Sequence, residues 1–118
     1  MNGYVLGGEP ITVSGIGMTN VDGSTNGAIN NSSSTAATPA LNFITLTGDT
    51  IFGTTVGRWD LGSPAGPTGN PATSRLDTGG HPYKLIKVGG QFFGLRSVTV
   101  DPQLGDVDVQ AGTFNIEG

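Results

Sequence analysis

The feature that most constrains this chain is the absence of a helical apolar period. No window sustains the i, i+3, i+4 spacing that a helix needs to bury one face. Glycine, 21 of 118 residues, interrupts almost every stretch of ten. What remains is a series of short runs that suit strands: 4–6, 11–13, 42–47, 50–52, 58–61, 83–88, 97–100, 106–109 and 114–117. Side chains alternate across a strand, so Ile44 shares a face with Leu46, Trp59 with Leu61, Val98 with Val100, Val107 with Val109, and Phe114 with Ile116. A chain made of such pieces is all-β.

The links between the runs carry the next constraint. Tight hairpins favour Asn-Gly or Asp-Gly between alternating runs. Here Asp22-Gly23 and Asn26-Gly27 lie inside a polar stretch, and the clean runs are joined by PQLG and QAGT. A sandwich and a β-solenoid both fit that pattern. Two stretches, 20–40 and 62–74, read as polar loops bulging from the strands; the second holds three of the seven prolines. No domain boundary is visible, so 1–118 reads as one unit.

Composition excludes several functions. Charged residues make up 12% of the chain, against about 25% in ordinary domains. Net charge is −4 with 5 Lys+Arg, which argues against nucleic-acid binding, because neutralising phosphates needs clustered cations. Absence of cysteine removes disulfides, thiol nucleophiles and thiolate metal sites. MNGYVLGGEP has neither the basic nor the apolar region of a signal peptide, and no apolar run reaches membrane-spanning length. Any export signal is therefore expected outside this sequence, and no membrane insertion is expected from it.

ITLTGDTIFG…GRWDLG (44–62), LIKVGG (85–90) and LGDVDVQAGTFNIEG (104–118) resemble the autotransporter-associated β-strand repeat of bacterial surface-protein passenger regions. Leu85-Ile86-Lys87-Val88-Gly89 stands in the place of that repeat's Leu-Thr-Lys segment, and Phe114 in the usual leucine place of its closing segment. LGGEPITVSG (6–15) has the look of a further coil. The resemblance implies a right-handed parallel β-helix, a solenoid of a few coils cut from a longer one. It also implies an extracellular, cell-surface location and a structural or adhesive role. Partners would be neighbouring coils of the same polypeptide and a host-surface or glycan ligand. It brings no catalytic motif and no cofactor. A carbohydrate-active β-helix fragment and a phage fibre or tailspike module are the alternatives.

Candidate chemistry is sparse. Asp106 and Asp108 lie two apart on one strand and are expected outward, opposite Val107 and Val109, as a surface contact. In an enzyme such a pair would bind Ca²⁺ or act as acid and base. RWD (58–60) and RLD (75–77) repeat an Arg-x-Asp unit at a spacing of seventeen residues; looping out 62–74 would stack them on adjacent coils as a charge ladder. An enzymatic role would use Asp60 or Asp77 with Arg58 or Arg75. Of Phe92 and Phe93, adjacent in QFFG, one must point outward, which makes the pair a second candidate contact. His81 has no companion histidine or cysteine and reads as a turn residue. Phe114 and Ile116 are expected inside, and the last coil is expected to present an unpaired edge that further sequence would cover. No catalytic residue, metal or cofactor is expected.

Overall fold

A computed structural model describes residues 6–62 and 74–117. Among these residues ten strands form one unclosed sheet: β1 (Gly7–Gly15), β2 (Ile29–Asn30), β3 (Ala37–Gly53), β4 (Trp59–Leu61), β5 (Ser74–Asp77), β6 (Leu85–Val88), β7 (Phe92–Arg96), β8 (Val98–Val100), β9 (Val107–Val109) and β10 (Thr113–Glu117). Every strand-to-strand pairing among the described residues is parallel; the sole antiparallel bridge joins Thr19 and Thr25 in a loop. No described residue is helical. Parallel strands forbid hairpins, which is why the hairpin dipeptides are absent between the runs.

Register sorts the strands into three columns. The first holds the start of β3, then β4, β7 and β10, with Leu41, Leu61, Leu95 and Ile116 aligned. The second holds β1, the middle of β3, β5 and β8, with Ile11, Ile44, Leu76 and Val100 aligned. The third holds β2, the end of β3, β6 and β9, with Phe52, Lys87 and Val109 aligned. The chain visits the columns in order on each pass; β3 crosses all three, and β1 runs beside it from Leu41 to Thr50. This is compatible with a β-solenoid.

The passes differ in length. Ala37 to Trp59 is 22 residues and Phe93 to Phe114 is 21, but Trp59 to Phe93 is 34. The long pass contains the proline-rich stretch, and the segment between β1 and β2 lengthens the first pass likewise: Ile11 to Ile44 is 33 residues. Two insertions therefore hide a regular repeat from the sequence.

The core runs along the columns. Phe52, Trp59 and Phe93 pack with centroids 4.5–5.2 Å apart, and Phe114 adds to Phe93 at 5.3 Å. Each such ring pair contributes roughly 0.5–1.5 kcal/mol beyond its buried area. Trp59 Nε1 donates to the Gly53 carbonyl at 2.8 Å, so its one polar atom is satisfied inside. Ala37, Ala40, Leu41, Ile44, Leu46, Leu61, Leu76 and Leu85 complete the cluster.

Three expectations need correction. The 20–40 stretch is not one bulging loop: Ile29–Asn30 pair with β3, and Ala37 and Ala40 are buried in the first column. Of 62–74, residues 63–73 lie outside the described residues, while Ser74 is a buried strand residue. Ile116 is not inside. It is aligned with buried Leu95, but among the described residues no strand lies on its other side, and it is 73% exposed.

Candidate functional site

The outward side of the first column gathers the densest set of charges. Arg58 and Asp60 flank inward-facing Trp59 on β4, so both project outward. Arg58 grips the Asp60 carboxylate with two bonds, Nε to Oδ1 at 2.9 Å and Nη2 to Oδ2 at 2.8 Å. Arg96, on β7, reaches Asp60 Oδ2 with Nη1 at 3.4 Å and Glu117 Oε2 with Nε at 2.7 Å. The Asp60 side chain is wholly buried beneath the two guanidiniums. The hydrogen bond to Asp60 raises the Arg58 pKa above its ordinary value, against the opposing effect of burial.

Gly94 makes this possible. It is the register partner of Asp60, and a Cβ there would stand 2.7 Å from Asp60 Oδ1. Without a side chain, the position becomes the floor on which the carboxylate lies. Phe92, one alternation earlier on β7, points outward with the Arg58 guanidinium 5.9 Å above its ring, while Phe93 is fully buried. One of the two phenylalanines therefore faces out, as alternation requires.

RWD and RLD do not stack. Arg58 and Asp60 lie in the first column and Arg75 and Asp77 in the second, on the same pass. The spacing of seventeen is the distance between two sides, not between two passes. Arg75 and Asp77 meet only at 3.4 Å on an exposed surface, where an ion pair contributes little. The ladder that does form uses Arg96 and Glu117 instead.

Asp106 precedes the third column's last strand and Asp108 lies within it, and both are exposed; Asp108 Oδ2 accepts from Gln110 Nε2 at 2.9 Å. His81 stands in a turn, its ring stacked on Tyr83 at 5.2 Å. Among the described residues, no three of His, Asp and Glu come close enough to hold a metal ion. An open cleft of about 520 Å³ lies between Ser24, Thr25, Asn26, Ile51, Val88 and Gln110, and no ionisable side chain lines it.

Three ionisable or polar residues escaped sequence reasoning. Lys87 is fully buried in the third column, aligned with Phe52. Its ammonium spends all three donors on the carbonyls of Val88 (3.0 Å), Gly89 (2.7 Å) and Ala111 (2.9 Å), tying the corners of two successive passes. Burial pushes its pKa down. Gly89, at φ +84, turns that corner against the Thr54 backbone, which leaves no space for a side chain. Asn31 sits fully buried in a formal glycosylation sequon, its amide donating to the carbonyls of Thr35 and Arg58. Asp101 accepts from the Gln103 and Gly80 amides at 2.9 and 3.1 Å and from the Thr78 hydroxyl and amide; these bonds hold its carboxyl well below the usual range.

Each of these groups is consumed in holding passes and corners together. Asp60, Asp77 and the Asp106/Asp108 pair occupy three different columns, so they do not assemble into the facing carboxylates of a glycosidase. No family model, curated protein or solved structure matches the chain.

Proposed function

We propose that this chain is a structural segment of an exported bacterial surface protein: a right-handed parallel β-helix that serves as a rigid stalk and displays its inserted loops. The observation that carries the reading is the register. Three columns of parallel strands repeat pass after pass, and polar groups inside and outside them, Lys87 and Arg96, clamp one pass to the next. Such a stack gains stability from neighbour contacts and suits extension rather than catalysis. The likeness of GRWDLG and DVDVQAGTF to passenger-region repeats gives the same direction.

An enzymatic reading finds less support, because Asp60 is locked under two arginines, and Glu117, the acid that shares Arg96 with it, is itself bonded. The test is location. Antibody raised against the folded chain should label intact cells of the source bacterium, and external protease should remove the label. Labelling only after permeabilisation would overturn the proposal.

A further inference from the structure

The segment between β1 and β2 gives the first pass something the second does without. Ala37 to Trp59 closes a pass in 22 residues, whereas Ile11 to Ile44 takes 33. Stacking therefore does not require the extra residues, yet they hold a fixed shape. Thr19 and Thr25 bridge the two arms, and Asn20 N donates to the Ser24 carbonyl at 2.7 Å. Asn20 Nδ2 donates to Ser24 Oγ and to Asn26 Oδ1, each at 3.0 Å. The segment lies directly on the third column. Ala28 N donates to the Ile51 carbonyl at 2.8 Å, and a Cβ at Gly53 would collide with the Asn26 carbonyl. A loop held this way is ordered before a ligand arrives, so little ordering entropy opposes binding.

Between this insertion and the outer side of the third column lies the open cleft of about 520 Å³, inside the roughly 300–1,000 Å³ range of small-ligand sites. Ile51 and Val88 supply its apolar surface. Both alternate with inward Phe52 and Lys87, on strands that are paired on both sides, so the cleft belongs to the flank of the stack. Its polar lining is uncharged. Asn26 commits its amide oxygen to Asn20, and Gln110 commits its amide nitrogen to Asp108, which leaves Asn26 Nδ2 to donate and Gln110 Oε1 to accept. The Thr55 hydroxyl donates to Asn30 Oδ1 at 3.1 Å and can still accept. Acids stand behind two of the lining residues: Asp22 accepts from Ser24 N at 2.9 Å, and Asp108 holds Gln110. Like charges facing each other across an interface oppose association, so these acids turn an anionic ligand away.

We infer that this cleft binds a short stretch of a neutral oligosaccharide. A pyranose has an apolar C–H face, which rests on Ile51 and Val88. Its hydroxyls both donate and accept, and they meet Asn26, Thr55 and Gln110. The inference rests on the reading that the stack displays its inserted loops, and names what one of them holds.

NMR titration of the purified, isotope-labelled chain tests this with maltotriose, cellotriose and mannotriose, and with trigalacturonate as the acidic counterpart. At least one neutral trisaccharide should move the side-chain amide signals of Asn26 and Gln110 and bind about tenfold more tightly than trigalacturonate. Gln110→Ala should weaken that binding about tenfold, and Val88→Trp, which fills the cleft, should abolish it. Asp106→Ala, outside the cleft, should leave it unchanged. Gln110 is exposed, so an unchanged thermal transition certifies that variant's fold. No shift with any neutral trisaccharide, equal or tighter binding of trigalacturonate, or undiminished affinity in Gln110→Ala would each overturn the inference. Binding is read on the purified chain and display on whole cells, so failure of one reading leaves the other measurement standing.

Discussion

The interior passes and the last pass are written in the same alternating pattern and fare differently. Leu61 and Leu95 are 0% and 4% exposed, and Ile116, at the same register position, is largely exposed. Trp59 and Phe93 are sealed, and Phe114, the next ring in the stack, is half-buried. Burial in this architecture depends on a residue's place in the stack as much as on its face of the strand. An inward residue with strands on both sides is sealed; one with a strand on one side only is partly or largely exposed.

The comparison can be broken by substitution. Trp59→Ala removes a ring packed on Phe52 and Phe93 and strands the Gly53 carbonyl, and should cost about 3–5 kcal/mol in chemical denaturation. Gly94→Ala should cost about 1–3 kcal/mol through overpacking against the Asp60 carboxylate. In an Asp60→Ala background the same change should add almost nothing, and a double-mutant cycle reads that coupling directly. Ile116→Ala, on the uncovered rung, should cost under about 1 kcal/mol. An Ile116 effect as large as that of Trp59 would mean the last pass is covered.

A pH titration sharpens the same contrast at a corner. The Asp101 carboxyl is held below its ordinary value by amide and hydroxyl donors, first those of Gln103 and Gly80. A depressed acid contributes its full stabilisation above the unfolded-state value of about 3.9, and loses it as pH falls through the folded-state value. Asp101→Ala should therefore lower the melting temperature at neutral pH and flatten the loss of stability below about pH 4. An unchanged acid limb would show that the corner does not depend on this carboxylate.

Much of the architecture was legible in the sequence and some of it was not, for identifiable reasons. All-β structure and the alternating faces of Trp59/Leu61 follow from period two alone. The separate runs 42–47 and 50–52 belong to one long strand that bends through three columns, and the glycine and aspartate between them concealed its continuity. β5 and β7 were hidden by proline-rich surroundings and by the adjacent aromatics of QFFG. The Arg58–Arg96–Glu117 ladder was out of reach, because two insertions of unequal position blur the repeat that would have aligned those residues. Lys87 was unreadable for a different reason: in Leu-Ile-Lys-Val the more apolar phase, Ile86 and Val88, is the outer one. Only the carbonyls of the neighbouring corners make a buried ammonium tolerable, and they come from two passes.

Amide hydrogen exchange on this 118-residue chain, resolved by strand, tests the central claim that stability resides in the interior passes and fades toward the last described one. Amides of β4, β5 and β6 should exchange slowest, by opening of the whole stack, and those of β8, β9 and β10 markedly faster, by local fraying. Protection in β10 equal to that in β4 would contradict the account.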